Sequence, residues 1–174
     1  PFFAEAYHQR AAVRHAEGEL APAHADYNVA VRLRPRDPVL HHNRGVVRAR
    51  MGKLPCALDD FEQALRLWPD FAEALRHRGL IRERRGELEA AERDLSRALE
   101  LDPGSAADWF HRGRVRQRAG DLEGALDDYE EAILLDSEHW RAYGQRALAR
   151  AALDDREGAA ADLAEALRLQ PDEP

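Results

Sequence analysis

A period of 34 residues runs through this 174-residue chain. Glycine marks it most plainly, at Gly18, Gly52, Gly86 and Gly120, with Asp154 in the fifth place. Other residues keep the same interval: Ala30, Ala64, Ala98, Ala132 and Ala166; Leu33, Leu67, Leu101, Leu135 and Leu169; Pro35, Pro69, Pro103 and Pro171. A fixed period of this length indicates supersecondary units that stack to bury a shared core. It divides the chain into five repeats, at residues 4–37, 38–71, 72–105, 106–139 and 140–173.

Each repeat is predicted to contain two α-helices, helix A before the glycine and helix B after it. Glycine suits the reversal between them because it adopts positive φ without steric cost. Proline ends helix B because it cannot continue the hydrogen-bonded ladder. In the fifth repeat Asp154-Asp155-Arg156 occupies the turn, so its two helices are expected to meet at a slightly different angle.

Two positions in each repeat hold only small residues, as close helix crossings require. They are Ala11, Gly45, Gly79, Gly113 and Ala147 on helix A, and Ala23, Ala57, Ala91, Ala125 and Ala159 on helix B. Large residues are predicted to fill the seam beside them: Tyr7, Leu75, Trp109 and Tyr143, with Tyr27, Phe61, Leu95, Tyr129 and Leu163 opposite. His41 is the odd member of the first of these large sets.

This pattern resembles the tetratricopeptide repeat family over almost the whole chain. The resemblance rests on an aromatic residue or Leu at repeat positions 4 and 24, Gly or Ala at 8, Ala at 20 and 27, and Pro at 32. It implies an all-α fold, a right-handed α–α superhelix (solenoid) of five helix-turn-helix units whose A helices line a concave groove. It also implies a scaffold for protein–protein interaction.

Arginine recurs at positions 7 and 11 of every repeat, and aspartate recurs at position 23. The arginines are Arg10/Arg14, Arg44/Arg48, Arg78/Arg82, Arg112/Arg116 and Arg146/Arg150, and the aspartates are Asp26, Asp60, Asp94, Asp128 and Asp162. An arginine that is partly buried near a helix crossing needs a carboxylate, and its fork suits a bidentate pair. We therefore predict a structural Arg–Asp ladder between helices A and B or between neighbouring repeats.

The formal net charge of −7 is divided unequally along each repeat. Positions 1–14 hold 17 arginines and 5 acidic residues over the five repeats, so helix A is basic, whereas helix B and the turns are acidic. The resemblance implies that positions 2, 5, 6, 9, 12 and 13 face the groove. The predicted peptide-binding residues at these positions are His8, Gln9, His42, Asn43, Arg50, Arg76, His77, Arg84, Phe110, His111, Arg114, Arg118, Arg141 and Gln145. Amides and imidazoles can bond a peptide backbone, and arginines select carboxylates.

No catalytic residue, cofactor or metal site is predicted. The chain lacks a nucleophile elbow and a Gly-rich phosphate loop. Of its eight histidines, the four on the groove face, His8, His42, His77 and His111, belong to different repeats, whose helices pack about 8–10 Å apart. Cys56, the only cysteine, is interpreted as a small core residue, and Trp68 and Trp140 as packing between repeats. No apolar run approaches the length of a membrane span.

These observations predict a non-enzymatic scaffold that holds an extended or helical, acidic peptide segment of a partner, or of its own longer chain. Two alternatives stay open. The first is a structural spacer that forms homo-oligomers through uncapped ends, and the second is single-stranded nucleic-acid binding, which the acidic net charge disfavours. Pro1-Phe2-Phe3 matches the end of a repeat, as in Pro69-Asp70-Phe71, so we expect the array to be a section of a longer protein. The compartment stays open, with the cytoplasm as the default expectation.

Overall fold

The computed structural model describes residues 2–170, and every regular element in that range is an α-helix. The helices are α1 (Phe2–Ala16), α2 (Leu20–Leu33), α3 (Pro38–Arg50), α4 (Leu54–Leu67), α5 (Ala72–Arg84), α6 (Leu88–Leu101), α7 (Ala106–Ala119), α8 (Leu122–Leu135), α9 (Trp140–Ala152) and α10 (Arg156–Leu169). Odd-numbered helices are the predicted helices A, and even-numbered helices are the predicted helices B. The all-α fold of helix-turn-helix units is thereby confirmed. Pro1 and the end of the fifth predicted repeat, including Pro171, lie outside the described residues.

The turns between helices A and B follow from the backbone freedom of the periodic residue. Gly18, Gly52, Gly86 and Gly120 have φ between 75° and 92°, in the left-handed region that glycine tolerates best. Asp154 adopts the same conformation, with φ of 66°. The fifth turn therefore keeps the left-handed backbone of the others, because aspartate is one of the few side chains that enter this region at modest cost.

The chain forms two compact units, one ending at Ile81 and the other beginning at Arg82. In the first unit, Tyr27 and Phe61 are buried between their own helix hairpin and the helix that follows. The close approach depends on the small residues of helix A, since a Cβ added at Gly45 would lie 2.8 Å from Phe61 Cε1. Small and large positions thus interlock as the repeat pattern predicts.

The second unit is packed by the same principle. Its main cluster contains Phe110, Ala125, Tyr129, Ala132, Ala142 and Ala149, with Trp109, Leu126 and Ile133 against its edge. A Cβ at Gly113 would lie 2.7 Å from Tyr129 Cε1, closer than real contacts allow. Helix α7 can therefore cross α8 at this distance only with glycine at position 113.

Cys56 is exposed, so its interpretation as a core residue is wrong. It lies in the first turn of α4, whose buried face contains Ala57, Asp60, Phe61 and Ala64. Cys56 precedes that face by one residue, which rotates its side chain about 100° toward solvent.

Candidate functional site

The predicted Arg–Asp pairs lie within hydrogen-bonding distance inside single repeats. Arg10 Nη2 and Arg14 Nη1 each lie 2.7 Å from the Asp26 carboxylate, which is 4% exposed. The same arrangement joins Arg44 and Arg48 to Asp60, Arg112 and Arg116 to Asp128, and Arg146 and Arg150 to Asp162, over 2.7–3.1 Å. One buried carboxylate on helix B thus takes two guanidinium groups from helix A.

The third repeat shows one half of this arrangement. Arg82 Nη1 lies 2.7 Å from Asp94 Oδ2. Arg78 belongs to the first compact unit and Asp94 to the second, so the pairing predicted between these two residues stays a prediction.

The ionisation of the ladder aspartates differs between repeats. The hydrogen bond from Arg10 lowers the pKa of Asp26. Burial acts against ionisation of Asp60, but hydrogen bonds from Arg44 and the charge of Arg48 lower the pKa of this carboxyl below its ordinary value. At Asp128 burial prevails and raises the pKa, although Arg112 and Arg116 oppose it.

His41 has the same role as a tryptophan elsewhere in the array. Its Nε2 lies 2.9 Å from the carbonyl oxygen of Pro35, six residues earlier. Trp109 Nε1 donates to the carbonyl oxygen of Pro103 over the same distance and the same separation in sequence. In these two repeats position 4 therefore holds a ring N–H donor that ties helix A to the segment after the preceding helix B, so histidine there makes the same contact as tryptophan.

Amide and imidazole side chains that the sequence places in the groove bond one another in the first unit. Asn43 Nδ2 lies 3.0 Å from His8 Nε2, and Asn43 Oδ1 lies 3.2 Å from His42 Nδ1. His42 Nε2 is 3.2 Å from His77 Nδ1, which also lies 2.7 Å from the carbonyl oxygen of Glu73. These groups form a continuous chain across three repeats, so most of their donors and acceptors are already used.

His42 is a core residue, which corrects its predicted place in the groove. It is 9% exposed and contacts the rings of Phe61 and Phe71 at centroid distances of 5.7 and 4.8 Å. Burial lowers its pKa to about 4, and His77 adds to the effect. A neutral His42 that donates from Nδ1 to Asn43 must accept at Nε2, so the single Nδ1–H of His77 is shared between His42 and the Glu73 carbonyl oxygen.

Arg114 and Arg118, predicted to recognise a ligand, bind a carboxylate within the chain instead. Arg114 Nη2 forms a short hydrogen bond to Glu83, and Arg118 Nη1 lies 3.2 Å from the same oxygen, Glu83 Oε1. The Glu83 side chain is 2% exposed, so it needs both partners. The sequence analysis did not single out Glu83. The signal that could have identified it is that Glu83 is one of only five acidic residues at positions 1–14 of the five repeats.

Arginines at position 13 also bond the end of the preceding helix A. Arg118 Nη1 donates to the Glu83 carbonyl oxygen over 2.9 Å, and Arg50 Nη1 donates to that of His15 over 3.2 Å. Each donor lies 35 residues after its acceptor. The last carbonyl groups of a helix have no partner within it, and a cation there is favourable. Both arginines therefore support the stacking of successive helices A.

The remaining predicted groove residues occupy varied surroundings. Gln9 donates to Glu5 over 2.8 Å within one turn of α1. Arg84 is exposed, while Arg76 and His111 are half-buried and have contacts of their own.

One cleft does bring predicted residues together, on the surface of α7 and α9. It has a volume of about 410 Å³ and is lined by Phe110, Arg114, Trp140, Arg141, Gly144 and Gln145. Phe110, predicted as an accessible contact, is only 6% exposed and forms the floor. Trp140, interpreted as packing between repeats, forms a wall of the cleft.

Arg141 and Gln145 are the available polar groups of this cleft. The Arg141 guanidinium lies over the Trp140 ring, 4.5 Å from its centroid. In the described part of the chain Arg141 forms no ion pair and the Gln145 amide no hydrogen bond, unlike the ladder residues. Residues 141 and 145 lie one turn apart on one face of α9. Together they present a guanidinium fork and an amide to a ligand.

Other site types find little support within residues 2–170. No three His, Cys, Asp or Glu side chains lie close enough to hold a metal ion. His42 and His77 nevertheless approach closely, which corrects the expectation that histidines of different repeats stay far apart. None of the described helices combines the length and the apolarity that crossing a membrane requires.

Comparison with known proteins agrees with this geometry. Sequence models of the tetratricopeptide repeat match residues 42–106 and 106–139. No curated protein sequence matches the chain. Among solved structures, MamA 41-end from Desulfovibrio magneticus RS-1 is similar with a TM-score of 0.91 and 19% identity, over 99% of this chain and 98% of that one.

Two further structures extend the likeness. YrrB, described as a TPR protein with an unusual peptide-binding site, has a TM-score of 0.82 and 26% identity over 96% of this chain and 86% of its own. The Cut9–Hcn1 assembly of the APC/C contains a chain with a TM-score of 0.86 and 21% identity, over 98% of this chain and 34% of that one. Repeat models that together match residues 42–139, more than half of the sequence, agree with these likenesses. The chain belongs to the tetratricopeptide repeat family.

Proposed function

We propose that this chain is a protein-interaction scaffold that binds an extended, acidic segment of a partner protein on its A helices. The cleft between α7 and α9 is the proposed main contact. The family and the peptide-binding site named for YrrB support the general role of a scaffold. The chemistry of the cleft supports the acidic character of the segment.

The observation that carries the proposal is the free state of Arg141 and Gln145. Arg82 and the ladder arginines of the first, second, fourth and fifth repeats face buried aspartates, and Arg114 and Arg118 face Glu83. Arg141 keeps its five N–H donors for an external acceptor, and Gln145 adds both a donor and an acceptor. A carboxylate is the group that matches a guanidinium fork, with an amide to complete its hydrogen bonds.

Single-stranded nucleic acid is disfavoured as the ligand. Proteins that bind single-stranded nucleic acid combine a continuous track of basic side chains with aromatic side chains on which the bases stack. Here the four arginines of α7 have carboxylate partners within the chain. Arg112 and Arg116 pair with Asp128 on one face, and Arg114 and Arg118 pair with Glu83 on the other. Arg141 alone does not form a track.

The test is a binding titration with a labelled peptide that alternates Glu and Ser over sixteen residues and is blocked at both ends. We expect binding that weakens with salt, and about a tenfold loss in Arg141→Gln, since a charge-assisted pair contributes roughly 1.5–3 kcal/mol. Arg156→Gln is the matched control, because Arg156 lies on α10 and is 88% exposed. Equal affinities of the two variants would contradict the proposal, as would tighter binding of an oligo(dT) strand.

Self-association is a second candidate function, favoured by an apolar surface on the last hairpin. Leu148, Leu163 and Leu167 are 47–60% exposed, whereas Tyr129, which precedes Leu163 by one period, is fully buried. A second copy of this chain would bury these leucines. A solution mass that stays monomeric as concentration rises excludes this candidate, and a concentration-dependent mass that Leu163→Glu abolishes supports it.

A further inference from the structure

The cleft on α7 and α9 contains a gap where earlier repeats carry a side chain. Position 5 holds a ring in three repeats, at His8, His42 and Phe110, and it holds Gly144 in the fifth. Gly144 lies within α9, and a Cβ added there would meet no atom within 4 Å. Neither backbone strain nor close packing therefore requires glycine at position 144. The missing side chain leaves a space in the cleft.

The walls around this space are aromatic. Trp140 lies one turn before Gly144 on α9, and Phe110 faces it from α7. Phe110 itself packs its ring against His139, at 4.8 Å between centroids, and against Tyr129 at 6.1 Å. A ring from a ligand would meet the same kind of surface that buried rings of this chain use among themselves.

Cationic groups border the aromatic walls on both sides. Arg141 is held over the Trp140 ring, and Arg114 lies 5.7 Å from the Phe110 centroid while Glu83 binds its Nη2. Glu83 thus fixes the position of Arg114, whereas Arg141 has no carboxylate within the described chain. A cation beside an apolar gap favours a ligand that supplies a carboxylate next to an apolar side chain.

We propose that the cleft recognises two adjacent side chains of a partner segment, an acidic one and an aromatic one. The carboxylate binds Arg141 and Gln145, and the ring fills the gap at Gly144 between Trp140 and Phe110. This inference rests on the proposed function, whose acidic ligand it makes specific. The volume of about 410 Å³ lies in the range of ligand sites, roughly 300–1,000 Å³.

Three blocked octapeptides test the inference by calorimetric titration. They share the frame Gly-Ser-Ser-X-Z-Ser-Ser-Gly, with Asp-Phe, Asp-Ala or Asn-Phe at X-Z. We expect the Asp-Phe peptide to bind about tenfold tighter than the Asp-Ala peptide, because burial of an aromatic ring increases the affinity by roughly a factor of ten or more. The Asn-Phe peptide should lose about as much, because it lacks the charge.

The discriminating variant is Gly144→Phe, which places a ring of the chain's own in the gap. It is expected to fold, since the site is open and glycine is a poor helix residue. It should reduce the affinity for the Asp-Phe peptide to that for the Asp-Ala peptide and leave the latter unchanged. Ala164→Phe, on the exposed surface of α10, is the control and should keep the preference.

The two proposals fail in different ways. Equal binding of the Asp-Phe and Asp-Ala peptides, or an undiminished preference in Gly144→Phe, would overturn the aromatic gap. Binding that is still lost in Arg141→Gln would then leave the acidic-segment proposal standing. If neither the octapeptides nor the sixteen-residue Glu-Ser peptide binds, both proposals are overturned.

Discussion

The role of an arginine in this chain depends on its position in the repeat more than on its charge. Arg112 and Arg114 are separated by two residues, which is about 200° of helix rotation. Arg112 faces the buried Asp128 on α8, whereas Arg114 faces Glu83 on α5. Within residues 2–170, Arg141, at position 2, contacts the Trp140 ring and forms no ion pair. One residue type thus serves helix pairing, repeat stacking and, in our proposal, recognition.

The burial of the side chains at position 5 could not be predicted from the sequence. Phe110 and His42 were expected in the groove, but each lies against the following helix hairpin. The periodic pattern gives the angle of a side chain around its helix, yet that position borders both the groove and the next repeat. The Glu83 contacts could not be predicted from the sequence either. They join residues that are 31 and 35 positions apart in the sequence, and they depend on how successive helices A stack.

The buried imidazole of His42 predicts a pH-dependent stability. Its pKa is about 4 in the folded chain, against an ordinary value of 6.5. Between these values the unfolded chain binds a proton that the folded chain does not, so stability falls as pH decreases from about 6.5 to about 4. The loss is expected to reach about 3 kcal/mol.

Urea unfolding at pH 7.5 and 4.5 measures this loss. His42→Phe should remove most of the difference between the two pH values, because phenylalanine does not titrate. Some dependence should remain, since burial also lowers the pKa of His15 and His24. Identical pH dependence in the wild type and the variant would show that His42 is accessible to protons in the folded state.

Helix pairing is the level at which the sequence was most informative. The 34-residue period predicted the order of helices A and B and their turns. It also predicted the crossing points of the hairpins that lie within one compact unit, because these hairpins face the same packing problem. Local exceptions still obey the same physics. Asp154 adopts the left-handed turn of the glycines, and His41 donates to a proline carbonyl as Trp109 does.

The Arg–Asp ladder predicts where a hairpin loses stability. Asp128→Ala should lower the free energy of unfolding by about 3 kcal/mol, because Arg112 and Arg116 would lose their buried carboxylate. Asp127→Ala is the matched control, since Asp127 is the adjacent, exposed residue of α8. Its effect should stay within about 0.5 kcal/mol.

Thermal and urea unfolding of both variants provide the comparison. A loss confined to Asp128→Ala, with peptide affinity retained, is the expected result. Equal stability of the two variants would mean that the ion pairs between α7 and α8 make no net contribution to the free energy of unfolding, because the cost of removing the charges from water cancels their attraction.

At the scale of the whole molecule, basic residues are many but available ones are few. Arg82 and the ladder arginines of the first, second, fourth and fifth repeats are paired within their hairpins. The polar groups of His8, Asn43, His42 and His77 bond one another. Arg141 and Gln145 on α9 are the available polar groups that one cleft brings together. That five repeats act as a single array remains a proposal, as does the identity of the segment they bind.

Amide chemical-shift mapping with the Asp-Phe octapeptide tests this account most directly. The largest changes should fall on residues 140–145 of α9 and 110–114 of α7, with little change on α8 and α10. At equal peptide concentration, Arg141→Gln should strongly reduce these changes, in line with its roughly tenfold weaker binding, without altering the spectrum elsewhere. Changes centred on helices B, or spread evenly over the basic residues of all five repeats, would contradict the claim that recognition is concentrated in this cleft.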